Sequence, residues 1–145
     1  MRKNLLEMAI RLYSKGSFEN NFTYNKVKMM SFLFKGNKLI SVGINSERTD
    51  PVQNLFRMKS KNNEVMPPQW LDKCHCEIDC LKKFYYKQKE NYLQYTLLVI
   101  SIKSDGTMRT SKPCKTCSKF LKEMGIGEIC YFDNGKFVSE KLIKK

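Results

Sequence analysis

The sequence predicts an α/β domain in which helices cover a mixed β-sheet. Three observations support this prediction: an N-terminal segment with apolar residues at helical spacing, two pairs of strand-like segments joined by turns, and a central apolar strand between two further helical segments. In chain order the predicted elements are α β β α β α β β. A chain of 145 residues has the usual size of one domain, so we expect a single domain over residues 1–145.

The N-terminal part of the chain is predicted to form a helix and a hairpin. Residues 1–16 have the spacing of an amphipathic helix. Its apolar face contains Leu5, Ala9, Leu12 and Tyr13. Two strand-like segments, 27–35 and 38–45, are separated by a short Gly-Asn turn that favours an antiparallel pair. The polar segment 46–73 follows, and a connection of this length inside a compact domain is often functional.

The C-terminal part alternates helices and strands. Residues 73–89 have apolar side chains at helical spacing, which predicts a helix. The apolar run 95–103 has the length of a strand and is typical of a central strand covered on both faces. Pro113 and Gly125 bracket another helix, because proline suits a first helical position and glycine suits a C-terminal stop. A final Asp-Asn-Gly turn between two short strand-like segments predicts a closing hairpin.

The charge balance favours a polyanionic partner without identifying one. The chain has 27 basic and 14 acidic residues, a formal net charge of +13, which promotes contact with phosphate groups. Most basic residues are lysines spread over every segment, so solvated surface faces explain the excess equally well. No apolar run approaches the roughly 20 residues that cross a bilayer, and the N-terminus lacks a signal-peptide pattern. We therefore expect a cytoplasmic protein that makes no membrane contact.

Two short motifs contain the residues with catalytic potential. His75 and Glu77 are two residues apart at the start of one predicted helix, and Cys114 and Cys117 are three apart at the start of another. Helix N-termini favour the thiolate form of cysteine, which zinc requires of its ligands. Three protein ligands leave one tetrahedral position for a water molecule, and zinc lowers the pKa of that water toward neutrality. The sequence therefore predicts one catalytic Zn²⁺.

The motif His75-Cys76-Glu77 and the run PCKTC at 113–117 resemble the H-x-E and P-C-x-x-C signature of the cytidine deaminase-like superfamily. The order of helices and strands is similar to that superfamily along nearly the whole chain. The runs INSERTDP, CHCEIDC and DGTMRTSKPCKTCSKFLKEMGI are also similar to small phage-encoded deaminase-like proteins. The resemblance implies a three-layer α/β/α fold, with helices on both faces of a five-stranded mixed sheet of order 2-1-3-4-5 and an antiparallel final strand pair.

The resemblance also implies roles for individual residues. The zinc ligands would be His75, Cys114 and Cys117. Zinc-bound hydroxide would attack the base, while Glu77 moves a proton from the water to the ring nitrogen and the leaving ammonia. Asn45, at the end of the second strand, would contact the sugar or the base. Trp70, in the long segment before the first motif, is the aromatic residue that we expect to stack on a base.

Other cysteines leave alternatives for the ligand set open. Position 76 is cysteine where the family commonly has alanine or another small residue, and Cys74 and Cys80 lie nearby. A ligand set that pairs Cys74 with Cys76 is one alternative. A structural zinc site with Cys76, Cys80 or Cys130 as fourth ligand is another, although such a site has no need of Glu77. Cys130 lies in an apolar strand and is predicted to be a core residue.

The short closing hairpin favours cytosine as the base. In relatives that act on free cytidine the last two strands are antiparallel, whereas tRNA adenosine, deoxycytidylate and polynucleotide cytosine deaminases insert a helix and run them parallel. The hairpin therefore favours cytosine as the base, whereas the net charge of +13 favours a substrate that contains phosphate. We expect hydrolytic deamination of cytosine to uracil in a nucleic acid or a nucleotide. The alternatives are an adenine deaminase and a zinc-stabilised nucleic-acid-binding module without catalysis. The expected partner is the nucleic acid, nucleotide or nucleoside substrate, met in the host cytoplasm if a virus encodes the protein.

Overall fold

The computed structural model describes residues 3–14, 28–45, 75–85, 91–103 and 105–142. The helices and strands in these ranges are α1 (Lys3–Ser14), β1 (Met30–Lys35), β2 (Lys38–Ile44), α2 (Cys76–Tyr85), β3 (Tyr95–Ile100), α3 (Lys115–Met124), β4 (Glu128–Asp133) and β5 (Lys136–Lys141). Their order is the predicted one. None of these three helices has the length and apolar content that crossing a membrane requires. Trp70 and Cys74 lie outside the described residues, as does the polar segment 46–73.

The five strands form one mixed sheet in the order β2-β1-β3-β4-β5. β1 pairs antiparallel with β2 and with β3, whereas β3 and β4 pair parallel. β4 and β5 are antiparallel. The predicted strand order and the predicted antiparallel closing pair are both confirmed.

The closing hairpin has the tight turn that its sequence predicts. Asp133 at the end of β4 pairs with Lys136 at the start of β5, so Asn134 and Gly135 alone connect the strands. Both connecting residues have positive φ, 51° and 80° respectively. Two positive φ values in a two-residue loop are the geometry that an Asn-Gly pair favours. This turn leaves no room for a helix between the last two strands.

Helices cover both faces of the sheet, which confirms the three-layer arrangement. On the first face, called the α1 face, α1 buries Leu5, Ala9 and Tyr13. The sheet residues beneath it include Met30, Phe32, Phe34, Leu98 and Ile100. On the opposite face, called the α2/α3 face, the buried sheet residues include Leu33, Leu97, Val99, Ile129 and Tyr131. Successive side chains of a strand point to opposite faces, so each central strand contributes to both cores.

Beyond β3 the chain makes a short excursion and returns to the sheet. Ile102 and Met108 form an antiparallel bridge at the base of this excursion. Ser111 then lies between the carboxyl ends of β3 and β4. Its hydroxyl donates to the carbonyl of Val99 at 2.8 Å and accepts from the amide of Phe132 at 3.0 Å. Ser111 thus joins the two parallel strands at the point where the chain leads into the second motif.

Candidate metal centre and active site

The two sequence motifs meet at the N-termini of α2 and α3. His75 immediately precedes α2, and its Nδ1 atom lies 3.5 Å from Sγ of Cys114 and 3.4 Å from Sγ of Cys117. One candidate ligand atom from each of these three residues lies within 4.8 Å of the other two. Within the described part of the chain, this is the one group of three or more His, Cys, Asp or Glu side chains with such spacing.

The spacing of these atoms fits a zinc ion. With usual Zn–N and Zn–S bond lengths and a tetrahedral angle, the nitrogen and sulfur ligands of one zinc are about 3.6 Å apart. The observed separations of 3.5 and 3.4 Å agree with this value. One imidazole and two thiols are also a donor set that zinc prefers. His75, Cys114 and Cys117 are therefore positioned to bind a metal ion.

Cys114 has a second role as the N-cap of α3. Its backbone is extended, and its sulfur accepts a hydrogen bond from the amide of Cys117 at 3.5 Å. Because this sulfur supplies the capping acceptor, the helix begins at Lys115. The prediction that Pro113 occupies the first helical position is therefore wrong, since proline precedes the cap. The predicted stop is confirmed, because Gly125 ends the helix with a φ of 82°.

The two thiols of the site have different environments. Cys114 is exposed, whereas Cys117 is buried. The hydrogen bond from the thiol of Cys117 outweighs the effect of burial and, with the nearby His75, lowers the pKa of Cys114 to about 4. The same contact, together with burial, raises the pKa of Cys117 well above its usual value. Zinc binds cysteine as the thiolate, so metal binding at this pair releases thiol protons.

Glu77 lies in the first turn of α2 and is 3% exposed. The thiol of Cys76 donates a hydrogen bond to its Oε1 atom at 3.0 Å. Burial raises the pKa of the Glu77 carboxyl, although the bond from Cys76 and the charge of His75 act in the opposite direction. A buried carboxyl with a raised pKa beside a metal centre is suited to proton transfer at neutral pH.

Three small residues of the hairpin hold the start of α2 close to the sheet. The hydroxyl of Ser31 donates to the carbonyl of Cys76 at 2.7 Å, and that of Ser41 donates to the carbonyl of Cys80 at 2.9 Å. A Cβ atom at Gly43 would lie 2.2 Å from the carbonyl oxygen of Cys76. The glycine is the only one of these with a signal in the sequence, because a glycine inside a strand often marks a close backbone approach. The two serines were not anticipated.

Asn45 lies at the end of the β1–β2 pair. Its Oδ1 atom accepts from the amide of Met29 at 3.0 Å, and its own amide donates to the carbonyl of Met29 at 3.3 Å. The adjacent amide of Ile44 donates to Oδ2 of Asp79 in α2 at 3.0 Å. This bond joins the strand end to the helix that follows His75, and the sequence did not signal it. The proposed substrate contacts of Asn45 and Trp70 stay predictions.

The other described cysteines are not members of the ligand group. The thiol of Cys76 donates to Glu77, and Cys80 is buried in α2. Cys130 is buried among the apolar residues of the α1 face, which confirms its predicted core position. Among the described residues the group therefore has three members, which is the number expected for a catalytic zinc site. The alternative that includes Cys74 lies outside the described residues.

Comparison with known proteins agrees with this geometry. The family model described as "Cytidine and deoxycytidylate deaminase zinc-binding region" matches residues 2–133. Among solved structures, the chain is similar in fold to cytidine deaminase from Burkholderia pseudomallei, with a TM-score of 0.59, 14% sequence identity, and 98% of this chain and 94% of that chain covered. No match was found among curated proteins. The chain belongs to the cytidine and deoxycytidylate deaminase zinc-binding family.

Proposed function

We propose that this protein catalyses the hydrolytic deamination of a nucleobase, with cytosine in a nucleic acid or a nucleotide as its substrate. The observation that carries the proposal is the meeting of His75, Cys114 and Cys117 at one point. The buried carboxyl of Glu77 lies two residues from the histidine of this group. A centre with three protein ligands and a neighbouring buried carboxyl is typical of hydrolysis, whereas a structural zinc has four protein ligands.

In the proposed reaction His75, Cys114 and Cys117 hold one Zn²⁺. When bound, zinc supplies Lewis-acid activation of water at neutral pH. Glu77 accepts the two protons of the attacking water in turn, delivering the first to the ring nitrogen and the second to the leaving amino group. A bond forms between the water oxygen and C4 of cytosine, and the bond from C4 to the amino nitrogen breaks. The products are uracil and ammonia.

The closing hairpin supports cytosine rather than adenine. Asn134 and Gly135 form its whole loop, so β4 and β5 are antiparallel. Within the superfamily that the motifs resemble, relatives that act on free cytidine share this antiparallel ending, whereas tRNA adenosine, deoxycytidylate and polynucleotide cytosine deaminases do not. The hairpin therefore supports cytosine as the base, and the support for a substrate that contains phosphate comes from charge. Adenine remains the alternative base.

Charge beside the metal centre supports a substrate that contains phosphate. Residues 107–122, called the basic segment, contain no acidic residue. Its cations are Arg109, Lys112, Lys115, Lys119 and Lys122. Lys112 and Lys115 are exposed on either side of Cys114 in the sequence, so a phosphate near the centre meets positive charge. We assign Asn45 and Trp70 to contacts with the sugar or base of this substrate.

The proposed reaction is tested by incubating the zinc-loaded protein with cytidine, dCMP, single-stranded DNA and RNA. Each is analysed for uracil, and the polymers are also analysed for deaminated adenine. We expect uracil from at least one substrate, and Glu77→Ala should keep its zinc while turnover falls by about 10²-fold or more. Glu123→Ala, an exposed glutamate of α3, is the matched control and should retain full turnover. Absence of product from every substrate would contradict the proposal.

The same variant distinguishes an enzyme from a binding module. A zinc-stabilised nucleic-acid-binding module would bind polynucleotides equally well with and without Glu77 and would produce no uracil.

The cytoplasmic location, in a host cell if a virus encodes the protein, stays a prediction from the sequence, as does the likeness to phage-encoded proteins.

The role of the basic segment is tested by the salt dependence of binding. If Lys112 and Lys115 both contact phosphates, their joint replacement by alanine should reduce the slope of log K against log salt by about 2. Lys38 and Lys141 are exposed at the opposite end of the sheet, so their joint replacement is the matched control. Equal loss of slope in both double variants would indicate a general charge effect instead of a site.

A further inference from the structure

We propose that Cys76 is a positioning residue for Glu77, a role that rests on the proposed deaminase function. Its thiol donates a hydrogen bond to Oε1 of the carboxylate and so leaves Oε2 to exchange protons with water and substrate. The atoms Sγ and Oε1 are 3.0 Å apart. Cys76 is 1% exposed and Glu77 is 3% exposed, so water does not compete for this bond.

The backbone of Cys76 is itself fixed, which gives its side chain a defined direction. The carbonyl of Cys76 accepts the hydroxyl of Ser31 at 2.7 Å, and Ser31 is fully buried. Gly43 lets the strand approach this carbonyl so closely that a Cβ atom there would lie 2.2 Å away. The hydrogen bond and the close packing at this carbonyl fix the backbone from which the thiol projects, so the thiol has a defined position beside Oε1 of Glu77.

The chemistry of the thiol suits the role of donor. A thiol can donate a hydrogen bond, whereas an ionised carboxylate can only accept one, so the proton of this bond lies on Cys76. The family commonly has alanine or another small residue at this position, and alanine has no proton to donate. In this chain the side chain between the metal-ligating histidine and the glutamate therefore has a function of its own, which is separate from metal binding.

The first test compares three variants of the zinc-loaded protein. Cys76→Ala should lower kcat by about tenfold, the usual effect of losing a hydrogen bond to a charged group, with KM and zinc content unchanged. Cys76→Ser retains a donor and should recover most of that loss. The matched control is Cys80→Ala, which removes an equally buried thiol one turn later in α2 and should leave kcat within about twofold of wild type.

Equal effects of Cys76→Ala and Cys80→Ala on kcat would overturn the inference, because they would indicate a general loss of packing. A loss of zinc from Cys76→Ala in proportion to the loss of kcat would also overturn it. If wild type itself yields no product from any substrate, the proposed function fails while the hydrogen bond is still tested by the second experiment.

The second test needs no turnover. The S–H stretching band of Cys76 in the zinc-loaded protein is identified by its absence from Cys76→Ser, and it should move to higher frequency in Glu77→Ala, where the acceptor is gone. An unchanged frequency would overturn the inference. This experiment requires only wild type, Cys76→Ser and Glu77→Ala. It therefore tests the hydrogen bond between Cys76 and Glu77 even if Cys76→Ala does not fold.

Discussion

The two faces of the sheet hold their helices by different means. On the α1 face, α1 packs through apolar side chains, and the hydroxyl of Tyr13 adds bonds to the carbonyl of Lys28 and the amide of Ile102. On the α2/α3 face, serine hydroxyls of β1 and β2 bind the backbone of α2 directly, and a glycine allows close contact. Apolar packing tolerates changes of shape, whereas hydrogen bonds are lost within a few tenths of an ångström. On the α2/α3 face the directed contacts lie beside the candidate metal centre, at the start of the helix that follows His75 and contains Glu77.

Removal of the metal should have the largest effect on the free energy of unfolding, and it should loosen the α2/α3 face more than the α1 face. When free zinc is about 1,000 times Kd, binding stabilises the fold by about 4 kcal/mol, and chelation removes this contribution. Hydrogen exchange should then increase first at the start of α3, where the amide of Ser118 donates to the carbonyl of Cys114. Amides of α1 should respond less. An equal response of α1 would contradict the distinction between the faces.

Gly43→Ala should have the next largest effect on the free energy of unfolding. The new Cβ would overlap the carbonyl of Cys76, so α2 must move, and we expect a loss of about 3 kcal/mol in the free energy of unfolding together with weaker zinc binding. Urea denaturation and zinc titration measure both effects. Gly36→Ala is the control: its φ of 60° is strained for alanine, but no atom lies within 4 Å, so it should cost about 1 kcal/mol and leave zinc affinity unchanged.

Ser31→Ala should have a smaller effect on stability that is still specific to the site. Loss of its bond to the carbonyl of Cys76 should cost about 1.5 kcal/mol and lower kcat as well, because this bond fixes the backbone beside Glu77. Tyr13→Phe removes a hydroxyl from the α1 face and should reduce stability to a similar extent without changing kcat. If both variants lowered kcat equally, directed contacts on the α2/α3 face would have no special role.

Leu5→Met should have the smallest effect on the free energy of unfolding. Leu5 of α1 is buried against the sheet, and a volume-conserving change in an apolar core usually costs less than about 1.5 kcal/mol. Zinc content and kcat should not change. A loss of zinc in this variant would mean that the α1 face also determines the geometry of the metal centre.

The order of helices and strands and the two cysteines of the candidate metal centre could be predicted because their signals are local. Apolar spacing marks α1, the Asn-Gly turn sets the closing hairpin, and the spacing of Cys114 and Cys117 within one helical turn brings both sulfurs to the same side. His75 could be joined to them only through the resemblance to a known family, since nothing local in the sequence indicates that two helix N-termini meet.

The contacts that place α2 could not be predicted because they join residues that are distant in sequence. The bond from Ser31 to Cys76 spans 45 residues, and that from Ser41 to Cys80 spans 39. A serine on the buried side of a strand carries no mark of its acceptor. The bond between Cys76 and Glu77 joins neighbours in sequence, yet it depends on rotamers that only the packed core selects.

The position of Ser111 determines where residues can be inserted without disturbing the candidate metal centre. It joins β3 and β4 after the excursion between Ile102 and Met108, so the approach to Cys114 is set by the two strands and not by the excursion. Residues inserted at the exposed Asp105-Gly106 turn should therefore leave the sulfur ligands where they are. The turn is thus a place where this fold can gain new recognition elements, or accept a fused peptide, without loss of its metal centre.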